Sequence, residues 1–298
     1  MTPDSATALL AGLVDYAGLF PPAGLGMDEA VAEYARWRRS PEAAFMLGRF
    51  VLPVGRLLEM RRAADAYLPE PGASEPWRLS ALLGADVRGG AAAVDGFNRG
   101  SAGRAVVDTV ELKAASPEEA DAALEALPPG LAAFVEVPLE GELDALLSRV
   151  KAHGARAKVR TGGVVPEAIP GPAALARFIA ACAEAGVPWK ATAGLHHPVR
   201  AEQALTYETD APRAWMHGFL NVFAAGALAR VGAPLADVEG VLREEDAHAF
   251  RFEPDALRWR DRVLPTEALA ASRSDFACSF GSCSFAEPVA DLRALGVL

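Results

Sequence analysis

Lysine is scarce in this sequence of 298 residues. Of its 29 basic residues, 25 are arginine and only four are lysine, namely Lys113, Lys151, Lys158 and Lys190. The chain uses arginine for nearly all of its cations, so a lysine inside an apolar segment needs a specific explanation. Lysine can lose its proton in a protein and arginine cannot, so one explanation is nucleophilic chemistry at a neutral amine.

Cysteines and long apolar runs are also few. Three cysteines indicate reduced thiols and a cytoplasmic protein, and Cys278 and Cys283 lack the C-x-x-C spacing of a zinc site. The longest apolar stretch, Phe219 to Ala229, has 11 residues, whereas a membrane span needs about 20. No cation precedes Arg36, so no secretory signal is predicted.

The charge balance is acidic. The net charge is −10, from 29 basic and 39 acidic residues, and no basic stripe is present. We therefore expect neither a nucleic acid nor an anionic membrane surface as a partner. A content of 51% hydrophobic and 23% charged residues is typical of a globular chain and excludes a disordered one.

Eight β-rich segments alternate with amphipathic helical segments, which indicates an α/β fold with a parallel sheet. The predicted strands are Gly12–Ala17, Met46–Pro53, Arg78–Leu83, Ala105–Lys113, Ala133–Pro138, Arg156–Thr161, Val187–Thr192 and Phe276–Phe280. Eight such units in about 300 residues predict a single (β/α)₈ TIM barrel domain spanning 1–298. A doubly wound open sheet is the alternative, but no G-x-G-x-x-G motif follows the first strand.

One connection is too long for a single crossover helix. More than 80 residues separate the seventh and eighth predicted strands. We predict a helical insertion at 198–272, with two or three helices. It would serve as a lid or as a subunit contact, and the latter would make the protein a homo-oligomer.

The active site of such a barrel lies at the C-terminal ends of its strands, where two lysines occur. Lys158 and Lys190 lie on the sixth and seventh strands, and each precedes a glycine by four residues. Alternation places Arg160 on the face of Lys158 and Thr192 on the face of Lys190, and this face would be the barrel interior. Burial and a neighbouring like charge would both lower a lysine pKa and favour Schiff-base chemistry.

Three carboxylates are candidates for proton transfer or for ion pairs with these lysines. On the fourth strand, alternation favours Glu111 inside the barrel and Asp108 against the helices. Glu136 ends the fifth strand. A buried structural salt bridge from Lys158 or Lys190 to Glu111 or Glu136 is the alternative to catalysis.

Two loops carry groups that suit an anionic substrate. Gly281, Ser282 and Ser284 precede a helical segment, and Thr161, Gly162 and Gly163 end the sixth strand. Backbone N–H groups and hydroxyls at such places bind phosphate, although plain turns have the same composition.

His196 and His197 follow the seventh strand. Neutral imidazoles bind divalent metals, and Glu136 would add a carboxylate. Because adjacent residues rarely point to one ion, hydrogen bonds to a substrate or a loop are the simpler interpretation, and no metal site is predicted.

The strand motifs resemble those of the deoxyribose-phosphate aldolases, which are class I aldolases. Lys158-Val-Arg-Thr-Gly162 is similar to their Lys-Thr-Ser-Thr-Gly strand, and Lys190-Ala-Thr-Ala-Gly194 to their Lys-Ala-Ser-Gly-Gly strand. Gly281-Ser-Cys-Ser284 is similar to their Gly-Thr-Ser-Ser phosphate loop. The departures are Ala193, the His196-His197 pair and the long seventh connection.

The resemblance implies a (β/α)₈ barrel and a distant relative of these enzymes. Lys158 would take the place of the Schiff-base lysine, and Lys190 that of the lysine that tunes it. Gly281, Ser282 and Ser284 would correspond to the phosphate loop. Asp108 would match an aspartate of the family's proton relay, which conflicts with the alternation on its strand.

We therefore expect a lyase of aldolase type that forms a Schiff base with a small carbonyl compound or a sugar-phosphate-like substrate and needs no cofactor. Two alternatives stay open. One is a barrel enzyme that uses a divalent metal bound by Glu136, His196 and His197. The other is a barrel protein that binds a ligand without catalysis.

Overall fold

The computed structural model describes residues 2–298 and contains a closed parallel barrel of eight strands. In chain order the barrel strands are β1 (Val14–Tyr16), β2 (Leu47–Pro53), β3 (Trp77–Leu82), β4 (Ala105–Lys113), β5 (Ala132–Glu136), β6 (Arg156–Arg160), β7 (Trp189–Thr192) and β13 (Ala277–Ser282). Each pairs in parallel with its neighbours in the chain, and β13 closes the ring between β7 and β1. The predicted closed barrel is confirmed.

Helices surround the barrel. They are α1 (Asp4–Leu10), α2 (Met27–Arg38), α3 (Leu57–Ala64), α4 (Val87–Gly100), α5 (Pro117–Glu125), α6 (Leu143–Ala152), α7 (Pro172–Ala185), α8 (Phe219–Arg230), α9 (Leu235–Leu242), α10 (Thr266–Asp275) and α11 (Ala286–Ala294). The Ser116 side chain accepts a hydrogen bond from the Glu119 N–H and begins α5, and Gly186 ends α7 with a left-handed backbone. Both ends follow the sequence signals for capping.

The segment between β7 and β13 contains α8, α9 and α10 and also five short strands that the sequence did not indicate. β8 (Ala201–Ala204) and β9 (Arg213–Met216) form an antiparallel hairpin, and β10 (Phe250–Phe252), β11 (Ala256–Trp259) and β12 (Arg262–Pro265) form a small antiparallel sheet. A role for this segment as a lid or a subunit contact stays a prediction.

The longest apolar run of the chain forms a helix buried against the barrel. All residues of α8 from Phe219 to Ala229 are buried. Phe223 stacks on Trp189 of β7, and Phe219 stacks on Phe280 of β13. An apolar surface on every side of a helix is typical of a core helix. Across residues 2–298, no helix has the length and apolar character needed to cross a membrane.

Candidate functional site

A cavity of about 440 Å³ opens at the C-terminal ends of the barrel strands. Its walls come from strand ends and from the loops that follow them. Among its lining residues are Phe20, Glu111, Lys113, Glu136, Lys158, Arg160, Gly163, Thr192, Gly194, His196, Gly281 and Cys283. The concentration of charged side chains in a buried recess at this end of the barrel marks the candidate active site.

Lys158 lies at the wall of this cavity between two carboxylates from neighbouring strands. Its Nζ is 2.9 Å from Glu111 Oε2 and 2.8 Å from Glu136 Oε2. Only 4% of the side chain is exposed. Parallel register explains the arrangement, because Glu136 of β5 is the pairing partner of Lys158 on β6.

Lys190 is buried more deeply, and it does not line the cavity. Its Nζ donates hydrogen bonds to Asp15 Oδ2 at 2.6 Å and to Glu111 Oε1 at 2.8 Å. Burial opposes the ammonium charge, but Asp15 and Glu111 outweigh it and raise the pKa of Lys190. Lys190 is therefore an ammonium ion at neutral pH.

The structure does not place two ammonium groups side by side without a counter-charge, as the sequence led us to expect. Lys158 and Lys190 are register partners, as the barrel predicts, but Glu111 lies between their charges. Burial would raise the pKa of Glu111, whereas Lys190 and Lys158 lower it far below its usual range. The buried ion pairs that the sequence offered as an alternative are therefore present.

Glu136 differs from Glu111 in its hydrogen bonding. Its Oε2 atom is buried and accepts no well-aligned hydrogen bond, although Lys158 Nζ is close, and its Oε1 accepts a bond of 3.3 Å from Arg160 Nε. Burial raises the pKa of Glu136, but Lys158, Arg160 and Lys113 lower it overall. Among residues 2–298, the Lys158 amine is thus the one cationic group beside this oxygen, and no other donor competes for it.

Asp15 also belongs to this charge network, although it was not among the predicted site residues. It lies on β1. Besides the hydrogen bond from Lys190, it accepts one from the Ser279 hydroxyl at 2.8 Å and one from the backbone N–H of Arg49 at 2.8 Å. An acidic residue between Val14 and Tyr16 in a buried strand was the available signal. This signal identifies Asp15 as a site residue only once the closed barrel places β1 near β7.

Asp108 lies away from the cavity. Its carboxylate pairs with Arg49 at 2.6 Å and with Arg78 at 2.6 Å. These guanidinium groups outweigh its burial and lower its pKa. The alternation on β4 predicted this outcome, so the match of Asp108 with a proton-relay aspartate is not supported by position.

The predicted phosphate loop contributes little polar surface to the cavity. Gly281 lines it, but Ser282 and Ser284 do not. The Ser282 hydroxyl accepts from the Ser284 N–H at 3.4 Å, and the Ser284 hydroxyl accepts from the Glu287 N–H at 3.2 Å. The hydroxyl and N–H groups of this loop therefore hydrogen-bond to one another at the start of α11.

The loops after β6 and β7 approach each other closely. A Cβ atom on Gly194 would lie 2.7 Å from the Gly162 Cα, so only glycine fits at this contact. The Thr161 hydroxyl donates to the Ala193 carbonyl at 2.6 Å and faces this contact instead of the cavity. Gly163 and Thr192 line the cavity, as predicted for residues at these strand ends.

The two adjacent histidines point to different partners. His196 Nδ1 lies 2.8 Å from Glu287 Oε2 and lines the cavity, whereas His197 Nδ1 lies 2.7 Å from Asp291 Oδ2 and does not line it. Within residues 2–298, no three His, Cys, Asp or Glu side chains are grouped in a way that could hold a metal ion. The set Glu136, His196 and His197 is not brought together.

No known protein-family model matches this chain, and no curated protein sequence matches it. The closed barrel of eight parallel strands is consistent with a TIM barrel. The resemblance to the aldolases therefore rests on the three strand motifs alone.

Proposed function

We propose that the protein is a Schiff-base-forming lyase of aldolase type and that Lys158 is its nucleophile. The observation that carries the proposal is the difference between the two lysines. Lys158 lines the cavity, whereas Lys190 lies outside it and is held as an ammonium ion by Asp15 and Glu111. An amine must be neutral and reachable to attack a carbonyl carbon, so the role falls to Lys158.

Glu136 would take the proton that Lys158 must lose. Its Oε2 atom lies 2.8 Å from Lys158 Nζ and has no competing donor among residues 2–298. Glu111 is a poorer acceptor, because it remains paired with the Lys190 ammonium. Once Lys158 is neutral, Glu136 loses one of the charges that lower its pKa, and it becomes a stronger base.

The chemical steps balance without a cofactor. The Lys158 ammonium passes a proton to Glu136, and the nitrogen lone pair forms a bond to the carbonyl carbon. A second proton moves from nitrogen to the former carbonyl oxygen, and Glu136 returns its proton as that oxygen leaves as water. The resulting iminium ion accepts the electrons of the adjacent Cα–Cβ bond while the Cβ hydroxyl gives its proton to the Glu136 carboxylate, so the Cβ fragment leaves as an aldehyde. Glu136 then returns this proton to the enamine carbon, and one water molecule hydrolyses the new iminium ion, which releases the second carbonyl compound and restores Lys158.

The finer proposal is that the substrate is small and carries an anionic group. The cavity of about 440 Å³ accommodates a small molecule, and Arg160 and Lys113 are the more exposed cations of its wall. A phosphate or carboxylate near Arg160 would have a planar guanidinium partner. Glycolaldehyde phosphate and glyceraldehyde 3-phosphate, compared with their unphosphorylated forms, test this part.

Borohydride trapping tests the proposal. The protein is incubated with these aldehydes, reduced and digested, and the modified lysine is found by mass spectrometry among only four candidates. We expect a stable adduct on Lys158 that disappears in Lys158→Arg. Lys151→Arg is the matched control, because Lys151 lies on α6 and donates to the Ala185 carbonyl instead of lining the cavity.

Three outcomes would contradict the proposal. An adduct confined to Lys113 or Lys151 would show ordinary surface reactivity. An adduct on Lys190 would reverse the assignment of the two lysines. The absence of any adduct across the panel, with the fold intact by circular dichroism, would leave a barrel that binds ligands without Schiff-base chemistry.

A further inference from the structure

The same cavity contains a second group of side chains that the Schiff-base chemistry does not use. Cys283 Sγ lies 3.9 Å from His196 Nε2, and His196 Nδ1 lies 2.8 Å from Glu287 Oε2. Cys283 and His196 both line the cavity. They come from the ends of two neighbouring barrel strands, β13 and β7, and Glu287 is in the first turn of α11.

The order thiol, imidazole, carboxylate is that of an activated nucleophile. The carboxylate fixes the imidazole with Nδ1–H toward Glu287, which turns Nε2 toward the sulfur. Burial favours neutral His196, but Cys283 and Glu287 outweigh it and raise the pKa of His196 to about 9. An imidazolium beside a cysteine stabilises the thiolate, which is the reactive form.

Tyr207 completes the surroundings of the thiol. Its hydroxyl lies 4.0 Å from Cys283 Sγ and donates to Glu287 Oε2 at 3.2 Å. Tyr207 belongs to the turn between β8 and β9, and it lines a second cavity of about 250 Å³ that shares His196 with the first. His196 therefore lines both cavities, whereas Cys283 lines the one that contains Lys158.

We propose that Cys283, His196 and Glu287 form a second nucleophilic centre that captures a small aldehyde by reversible addition of the thiol. In the ion pair of Cys283 and His196 the proton of Sγ resides on His196 Nε2, and the sulfur lone pair forms a bond to the carbonyl carbon. The π electrons of the carbonyl move to its oxygen, which then receives the proton from the imidazolium. The product is a thiohemiacetal, and no other reactant is consumed.

The surrounding N–H groups favour addition over acyl transfer. Acyl transfer needs donors aimed at an oxyanion. Near Cys283, the Ser284 N–H donates to the Ser282 hydroxyl, and the Glu287 N–H donates to the Ser284 hydroxyl. In an aldehyde addition the imidazolium itself protonates the oxygen. Only 6% of the surface of Cys283 is exposed, which restricts the reaction to small, unhindered carbonyl compounds.

Carbon-13 NMR with labelled acetaldehyde tests the capture, and the Lys158→Arg variant is the starting protein. In this variant the Schiff base of the first proposal cannot form, so a failure of the thiol proposal can be distinguished from a failure of the Schiff-base proposal. We expect a carbon signal of a thiohemiacetal that is retained in Cys278→Ser and lost in Cys283→Ser. Absence of the signal in the starting protein, or its persistence in Cys283→Ser, would overturn the proposal.

The rate of alkylation by iodoacetamide gives an independent measure of the reactivity of the Cys283 thiol. Mass spectrometry reports the three cysteines in one sample, with buried Cys182 and half-buried Cys278 as internal references. We expect Cys283 to react roughly tenfold faster than Cys278 and His196→Gln to remove most of this advantage. Equal rates, or a rate at Cys283 that His196→Gln leaves unchanged, would count against the centre.

Glu287 acts through His196 and is a positioning residue. Glu287→Gln should slow alkylation of Cys283, whereas Glu287→Asp should restore part of the rate. The rate at Cys278 and the thermal midpoint separate this effect from a general loss of structure. Slower labelling of both cysteines together would identify a purely structural role and would contradict the assignment of Glu287.

Discussion

Lys158 and Lys190 are register partners on adjacent strands, and their ammonium groups bind opposite oxygens of one carboxylate. Lys158 Nζ is 2.9 Å from Glu111 Oε2, and Lys190 Nζ is 2.8 Å from Glu111 Oε1. The Ser80 hydroxyl donates to Oε1 as well, at 2.7 Å. The negative charge of this buried carboxylate thus offsets the repulsion between the two ammonium groups inside the barrel.

Glu111→Gln should destabilise the fold by about 3 kcal/mol, because it leaves two buried ammonium groups without their shared counter-charge. Urea unfolding followed by circular dichroism measures the change. Glu125→Gln is the control, since Glu125 is exposed at the end of α5, and its effect should be small. A loss below about 0.5 kcal/mol at Glu111 would show that the network contributes little to stability.

Asp15 and Lys190 should be strongly coupled energetically. A double-mutant cycle with Asp15→Asn and Lys190→Met should give an interaction energy of about 2 kcal/mol, because both side chains are almost fully buried. The exposed pair Asp95 and Arg99 on α4 is the control, with an expected coupling of about 0.4 kcal/mol. Similar coupling in the two cycles would contradict the importance of burial.

The stability of the protein should fall as pH rises through about 9, in part because of His196. Its pKa is raised from 6.5 to about 9, so its contribution is complete below pH 6.5 and is lost above pH 9. The titratable groups around it are Cys283, Glu287, Tyr207 and His197.

Unfolding free energies at pH 6 and pH 9.5 measure this contribution. In Glu287→Gln the difference between them should shrink by about 1 kcal/mol, because the imidazolium loses a charged partner. His248→Gln should keep the wild-type difference, since His248 is exposed on the segment before β10. An unchanged difference in Glu287→Gln would show that this carboxylate does not hold the proton on His196.

Gly194→Ala should cost more stability than Gly232→Ala, although the two glycines have nearly the same backbone angle. Their φ values are +77° and +79°, but a Cβ on Gly194 meets the Gly162 Cα at 2.7 Å, whereas nothing lies within 4 Å at Gly232. We expect a loss of about 1 kcal/mol at Gly232 and at least about 2 kcal/mol more at Gly194. Equal losses in urea unfolding would show that the loops after β6 and β7 separate easily.

The strands were predictable because each is a short apolar segment with its own signals. Ala105–Lys113 matches β4 at both ends, and the other barrel strands agree to within a few residues. Alternation also placed Glu111 inside and Asp108 outside without any tertiary information. Where the family resemblance and the alternation disagreed about Asp108, the alternation agreed with the structure.

The pairing of Lys190 with Asp15 was not predictable, because it depends on a contact between distant parts of the chain. Asp15 and Lys190 are 175 residues apart and meet only in the closed barrel. From the sequence, ion pairs of the two lysines with Glu111 or Glu136 and repulsion between the two lysines were both open, and only the barrel decided between them. The short strands β8 to β12 were missed because each has only three or four residues.

Closure of the ring by β13 has a consequence for synthesis of the chain. β1 and its partner β13 are far apart in the chain, since Asp15 and Ser279, which share a hydrogen bond, are separated by 264 residues. Until β13 emerges from the ribosome, the barrel has two open edges and Asp15 lacks Ser279. The charge network around Asp15 can therefore mature only after β13 has been translated, which makes its assembly a long-range event.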